Sequence, residues 1–374
     1  MRNNIVFVWD NFGPIHADRA SAVAQSLTGV GQVTGVELFA KSDTYDWKPE
    51  GGESFKKVTI CRGAARDNGL ISSLRNWFRL QKILWRNLGS AYFFCHYERP
   101  SIFFSAAVLR LIGQKTYVMN DSKFDDYERN LFKEFFKYVL YIPYRGGVAA
   151  STRSQDYMRF LGVPEKNIAT CYDSMSISRI RRSAGCEPAP NGAAYGDRHF
   201  TVVARLVEKK NLFLTLSAYA EYAKNSTSPR RLKIAGNGPL ESALKQHAVS
   251  LGVSGLVDFM GFIQAEDVAR LLSTTVALLL LSTEEQFGNV VIEAISMGLP
   301  CIVSTACGSR DQLIRSGVNG FVVEPDNAEG AAYFMSLIAQ DESLWQTMAR
   351  ASSQMSAKAD VSCFVESVSR LIRA

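Results

Sequence analysis

Glu285 and Glu293 bracket the segment EQFGNVVIE, two carboxylates with seven residues between them, directly after the apolar run VALLLLS at 276–282. A short apolar run bounded by polar residues reads as a buried parallel strand. The stretch NVVIEAISMG then has helical spacing and a stop at Gly298. Strand, Phe-Gly turn and helix place Glu285 in the turn and Glu293 in the first turns of the helix. The unpaired N–H groups of a helix N-terminus suit an anion such as a diphosphate. A carboxylate beside them suits hydroxyls, whose hydrogen bonds it accepts. Two carboxylates around an anion cradle suit a ligand with phosphates in the middle and hydroxyl-rich groups at both ends, which describes a nucleotide-sugar.

The other notable polar elements of the second half also follow strand-like runs. ARLVEKKN follows FTVV and contributes Arg205 and Lys210; IAGNGP follows RLK and contributes Gly236, Gly238 and Pro239. An Arg and a Lys five residues apart at the end of a strand suit a diphosphate, one as a fork and the other as a point charge. Alone, the cations read equally as a solvated pair and GNGP as a turn; their ordered recurrence after successive strands argues for a site. Glycines there allow close backbone approach.

The elements that must carry these residues alternate. NIVFVWD, VTGVELF, AYFFCH, KTYVMN and GGVAAS read as strands, with helical stretches between them, the first from about Ala17 to Leu27. After 183–198 (SAGCEPAPNGAAYGDR), rich in Gly, Pro and Ala and expected to be the interdomain linker, the series resumes: FTVVARL, a helix from Phe213, RLKIAGNGP, LVDFMG, VALLLLS, CIVSTA and GFVVEP, with 340–373 helical. Such alternation implies α/β units with parallel sheets covered on both faces. At 374 residues two domains are expected: 1–187, 188–355, and a C-terminal helix, 356–374, packing back on the first. Open sheets of this kind bind ligands beyond the carboxyl ends of their strands, so two facing units would form a cleft.

Composition narrows the classes further. With 47% hydrophobic and 21% charged residues the chain is globular. No apolar run approaches the ~20 residues of a membrane span, and MRNNIVFVWDNF does not look like a signal peptide. Seven scattered cysteines without a CxxC pair suit reduced thiols in the cytoplasm. Residues 1–187 contain 26 Lys and Arg against 18 Asp and Glu, or +8; the remainder, with 16 and 18, is −2. A basic first half suggests an anionic partner.

The ordered set ARLVEKKN, IAGNGP and EQFGNVVIEAISMGLP resembles the donor-binding half of the retaining glycosyltransferases of family 4 (glycosyl transferases group 1), over about residues 199–326. DNFGPIHADR resembles that family's first loop, with Gly13. NDSKFDDYERN and GGVAASTRSQDYMRFLGVP look like segments of bacterial members that build surface polysaccharides. The resemblance implies a GT-B fold, two Rossmann-like parallel-sheet domains facing a cleft. It further implies sugar transfer from a GDP- or UDP-linked donor, with retained anomeric configuration and without metal or cofactor, and the chain contains no Asp-x-Asp triplet. On that resemblance Arg205 and Lys210 neutralise the diphosphate and Glu285 binds the transferred sugar. Phe287, Gly288, Asn289 and Val290 form the turn and helix start, offering backbone donors. Glu293 holds the ribose, and the base lies near DFMGF, which ends at Phe262.

Relatives commonly carry a histidine where KTYVMNDS here has Asn120 and Asp121, so those two are the expected sugar-orienting pair. His16 and His96 are acceptor-side candidates or hydrogen-bonded structural histidines. The missing histidine also motivates an inactive nucleotide-sugar-binding subunit as a rival reading.

Residues 71–88 place Arg75, Arg79, Lys82 and Arg86 within about 60° of one another at 100° per residue, beside an arc with Leu74, Trp77, Phe78, Leu84, Trp85 and Leu88. Arg129, Lys133 and Lys137 lie similarly beside Leu131, Phe132, Phe135 and Phe136. Either the apolar stripes pack on the core and the cations are solvated, or these helices dock a cytoplasmic enzyme peripherally on anionic lipid, near a lipid-linked glycan acceptor. Bases on helix faces without stacking platforms argue against nucleic acid. The first loop lacks GxGxxG and GNGP has no acidic residue of its own about 20 positions on, which argues against a dinucleotide dehydrogenase.

Overall fold

The structure, a computed structural model, describes residues 4–42, 51–64 and 70–373. These divide into two units: 4–124, 128–176 and 361–373 in the first, 125–127 and 177–360 in the second.

In the first unit, strands β1 (Ile5–Trp9), β2 (Val33–Phe39), β3 (Lys56–Cys61), β4 (Ala91–Phe94), β5 (Lys115–Asn120), β6 (Gly146–Ala149) and β7 (Ile168–Ala169) form a sheet in the order β3-β2-β1-β4-β5-β6-β7. Its pairings are parallel. Helices α1 (Pro14–Ser26), α2 (Leu70–Arg86), α3 (Pro100–Leu111), α4 (Leu131–Tyr141) and α5 (Thr152–Phe160) join the strands. All five residues of β1 are buried, as a parallel strand covered on both faces requires. Right-handed crossovers that run outward from β1 and then return across it put α2, α3 and α4 on the face opposite α1. There Leu80, Leu84, Ile102, Leu109 and Tyr141 share one core with Val6 and Val8.

The second unit begins with α6 (Ile177–Ala184). Strands β8 (His199–Val203), β9 (Leu232–Ala235), β10 (Val257–Gly261), β11 (Thr275–Leu280), β12 (Cys301–Ser304) and β13 (Gly320–Val323) lie in the order β10-β9-β8-β11-β12-β13. Its helices are α7 (Leu212–Lys224), α8 (Glu241–Ser250), α9 (Ala265–Ser273), α10 (Asn289–Ser296), α11 (Arg310–Leu313), α12 (Ala328–Gln340) and α13 (Glu342–Met355). The expected stop of α10 is realised at Gly298, in the left-handed region at φ 70°. There the Gly298 and Leu299 N–H groups return to the carbonyls of Ile295 and Ala294.

Several expectations shift. The chain leaves the first unit after residue 176, not 187. The Gly/Pro/Ala-rich stretch is a strap on the second unit, anchored by Ala189 N–H to Met297 O at 2.9 Å, Tyr195 Oη to Ile338 O at 2.7 Å and the Tyr195–Trp345 ring contact. Arg198 and Arg230 also hold the strap's carbonyls at Asn191, Ala193 and Tyr195, and such backbone anchors leave no trace in composition. Residues 356–359 stay with the second unit, and α14 (Val361–Arg373) lies in the first. There Tyr117 Oη and Lys115 Nζ donate to the carbonyls of Leu371 and Ile372, both at 2.6 Å. Strands β3 and β7 had no sequence signal: β3 is an edge with exposed or half-buried lysines, and β7 is two residues long. Helix α1 starts at Pro14, three residues earlier than its apolar spacing suggested, because proline suits the first helical position.

Candidate functional site

In the second unit the chain winds outward from β8 through β9 to β10, then restarts at β11 and winds the other way. The loops after β8 and β11 therefore flank the switch point, where an open parallel sheet leaves a crevice at the carboxyl ends of its strands. Arg205 and Lys210 lie in the first loop and Glu285 in the second.

Two neighbouring ion pairs bridge these loops: Lys210 Nζ with Glu285 Oε2, and Lys209 Nζ with Glu284 Oε1 at 2.9 Å. Ser282 Oγ donates to Glu285 Oε2 at 3.1 Å, and Thr283 N–H to Lys209 O at 2.9 Å. Asn211, at φ 56°, ends the turn that carries Lys210, and its amide donates to Leu281 O and Pro325 O. The sequence assigned Lys210 to phosphate and Glu285 to sugar as separate duties; the structure joins them. Both side chains retain access to solvent, at 14% and 12% exposure.

Gly236 and Gly238 owe their identity to the loop after β8. A Cβ on Gly236 would lie 1.8 Å from Ala204 O, and one on Gly238 2.5 Å from Leu206 O. The two loops are laced by Ala204 N–H to Ala235 O, Leu206 N–H to Asn237 O and Leu240 N–H to Leu206 O, with Pro239 between. Gly236 N–H also donates to Gly261 O at 2.8 Å, which fixes the end of β10 and the half-buried Phe262 just beyond it.

The EQFGN turn enters α10 through Gly288, at φ 92°, where a Cβ would meet Leu280 Cδ2 at 2.9 Å. Phe287 is buried, and its carbonyl accepts from Ser309 N–H at 2.9 Å. Gly308 N–H donates to Glu285 O at 3.1 Å, so close that a Cβ on Gly308 would lie 1.7 Å from Gln286 O. Cys307, Gly308 and Ser309 thus hold the turn from the loop after β12. Sequence reasoning passed them over, although the Cys-Gly-Ser triplet after CIVSTA was its available signal. Asn289 opens α10 with a buried Oδ1 that has no hydrogen-bond partner among the described residues. Val290 follows it, half-buried. Glu293, also half-buried, lies four residues after Asn289 on the same side of the helix. The positive end of the α10 dipole and Lys210 thus stand beside Glu285, with Glu293 one turn along the helix, a charge pattern that accepts an anion and hydroxyls together.

The residue range 187–355 matches the family model for glycosyl transferases group 1. Over these residues the chain is similar to glycosyl transferases group 1. Similar curated proteins are N-acetyl-alpha-D-glucosaminyl L-malate synthase of Bacillus anthracis and the lipopolysaccharide core biosynthesis glycosyltransferase LpsE of Rhizobium meliloti. The first is 33% identical over 118 residues, 32% of this chain and 30% of that protein. The second is 32% identical over 142 residues, 38% of this chain and 39% of that protein. These matches thus span less than half the length of either relative. Among solved structures, Anabaena HepE in complex with UDP and glucose is similar over 100% of both chains, with TM-score 0.73 and 15% identity. The fold is GT-B, two α/β units with parallel sheets.

Outside the segment matched to glycosyl transferases group 1, the remaining candidates sit in the first unit. Gly13 caps α1, and its N–H donates to His16 Nδ1 at 3.1 Å. Burial, then Arg19 and His96, hold the His16 pKa well below 6.5, so the neutral ring carries its proton on Nε2. His96 follows β4, with Asp10 Oδ2 3.8 Å from its Nε2 and Glu98 Oε1 3.4 Å from its Nδ1. Burial disfavours its charge, but Cys95, Glu98 and Asp10 outweigh burial and push its pKa up to about 11. Arg99 holds Asp10 through two nitrogens. Asn120 ends β5 with its amide engaged at both ends: Nδ2 donates to Tyr141 Oη at 2.8 Å, and Oδ1 accepts from Ser122 N–H at 3.1 Å. Asp121, half-buried, lends its carbonyl to Ser154 Oγ.

Among the described residues no three His, Cys, Asp or Glu side chains gather as a metal-holding group. Cavities of 640 and 460 Å³ line the opposite end of the second sheet and the α7–α8 side, and neither includes the Lys210–Glu285 pair.

Proposed function

We propose that the protein is a retaining glycosyltransferase that moves a sugar from a GDP- or UDP-linked donor to a lipid-linked glycan in bacterial polysaccharide assembly. It would work at the cytoplasmic side of a membrane without a metal ion or cofactor. The observation that carries the reading is the Lys210–Glu285 pair beside the α10 N-terminus, within the segment that matches the family. LpsE, a relative by sequence, is named for lipopolysaccharide core biosynthesis, and HepE, a relative by fold, is named with UDP and glucose.

In this reading the anomeric carbon–phosphate oxygen bond breaks and a bond from the acceptor oxygen forms on the same face, the acceptor proton passing to the departing phosphate. Negative charge then builds on the nucleoside diphosphate. Arg205, Lys210 and the N–H groups at the start of α10 would be the donors that meet that charge. Glu285 accepts hydrogen bonds from the sugar and Glu293 from the ribose, with the base near Phe262. The donor diphosphate would draw Lys210 toward itself and leave Glu285 to the sugar hydroxyls.

A second reading, an inactive nucleotide-sugar-binding subunit, draws on Asn120, whose amide is already engaged. Turnover decides between the two. A thermal-shift screen against GDP-, UDP- and ADP-sugars identifies the donor, since a ligand at a hundredfold its Kd adds about 2.7 kcal/mol. Donor hydrolysis or transfer that disappears in Glu285→Ala supports the enzyme. Donor binding without any turnover in the presence of lipid-linked acceptors would reject it.

A further inference from the structure

Three helices of the first unit carry side chains that glycosyl transfer does not use. Helices α2, α3 and α4 pack on one face of the sheet through Leu80, Leu84, Ile102, Leu109 and Tyr141, and Gln81 Nε2 of α2 donates to Ser105 Oγ of α3 at 2.5 Å. Their outer sides are apolar. On α2, Leu74, Phe78 and Trp85 form one stripe, exposed by 53%, 64% and 48%. On α3, Phe104 and Leu111 project at 56% and 85%.

Helix α4 is the most telling, because it is folded against its sequence pattern. Its one acid, Glu134, is buried and receives Tyr157 Oη at 2.5 Å, Lys137 Nζ at 3.0 Å and Arg129 Nη1 at 3.3 Å. Its apolar side faces out: Leu131, Phe132, Phe135 and Phe136 are 63–80% exposed. Charged groups are costly to bury and apolar ones are costly to hydrate, so this arrangement suits a helix whose outer side meets something apolar.

Charge identifies the occupant. The three helices contain seven Lys and Arg and one acid, the inward Glu134. On α2, Arg75, Arg79, Lys82 and Arg86 are all exposed along the flank of the apolar stripe. A second copy of the chain would set cations against cations. A nucleic acid would meet the cations and offer the phenyl rings no apolar layer. An anionic bilayer offers both, phosphates at its surface and hydrocarbon just beneath.

We propose that this face of the first unit docks on an anionic lipid bilayer, with the α4 phenyl rings and Trp85 entering the headgroup–acyl boundary and the α2 cations against the headgroups. The proposal stands apart from the donor site, since vesicle binding needs no sugar nucleotide.

Flotation of the full chain with phosphatidylcholine vesicles, and with vesicles containing phosphatidylglycerol, at low and high salt, tests it. Wild type is expected to float with the anionic vesicles and only weakly with the neutral ones. The triple variant Arg75→Ser/Arg79→Ser/Lys82→Ser is expected to lose on the order of a hundredfold in partitioning, at about fivefold per basic residue. Phe132→Ser/Phe135→Ser is expected to lose the binding that survives high salt. Both should melt like wild type because the altered side chains are exposed; should the double variant melt early, Phe135→Ser alone takes its place. Failure of wild type to float at low salt, or equal binding to both vesicle types, overturns the proposal. So does a Phe variant that turns a dimer into a monomer in light scattering while vesicle binding persists, which would assign the face to a second copy.

Discussion

Lys210 and Glu285 sit 75 residues apart in sequence and share one ion pair beside Ser282. Glu285→Ala is expected to lower kcat/KM by about 10²–10³, the usual cost of removing a preorganised polar group from a transition state, with an unchanged melting temperature. Lys210→Met is expected to cost a similar factor. Because the two residues touch, the double variant should lose less than the product of the single losses, and a double-mutant cycle on transfer rates measures that coupling. Histidine protonation is a second residue-scale consequence. Burial, and then Lys233, lower the His199 pKa to about 4. The unfolded chain, with a histidine near 6.5, therefore binds a proton that the folded chain refuses. This histidine's contribution to stability is full above pH 6.5 and falls by about 1.4 kcal/mol per pH unit as the pH drops toward 4. Melting curves between pH 7 and pH 4.5 should show that slope, and His199→Gln should flatten it.

At the scale of elements, the site is made by loops that hold each other. Gly236 faces Ala204 O and Gly308 faces Gln286 O at distances no Cβ tolerates. Gly236→Ala and Gly308→Ala must therefore move backbone, at about 1–3 kcal/mol each. Each is expected to lower the melting temperature and to weaken donor binding in calorimetry. A neutral site would show unchanged binding in both. These glycines were legible in the sequence as points of close approach, but what approaches them was not. Strands β1 and β11 were equally plain, because a strand covered on both faces shows as an unbroken apolar run. Strand β3 lacked that run because it lies at an edge. The strap at 185–198 read as a linker because its anchors are mostly backbone groups.

At the scale of the whole molecule, the chain ends where it began, with α14 in the first unit. Phe364, Val368 and Leu371 of α14 are buried, and Phe364 meets Phe7 of β1 with ring centroids 5.7 Å apart. A chain stopped at Asp360 uncovers that core. Burial of three large apolar side chains contributes about 1.5–3 kcal/mol each, so truncation should bring a separate, earlier melting transition in calorimetry, while a transition from the second unit remains. A single transition at the wild-type temperature would show that α14 contributes nothing to the first unit.

Local order in the chain determined the alternation of strands and helices, the division into two α/β units, the α10 stop at Gly298, and the polar residues that follow each strand of the second half. Each of these depends on neighbours within one element, where period and punctuation speak directly. Tertiary structure alone decided that Lys210 meets Glu285, that Gly236 lies under Ala204, and that α4 turns its phenyl rings outward. An amphipathic period shows that a helix has two sides, but which side faces the core depends on the partners waiting there, and for α4 those are Arg129 and Tyr157.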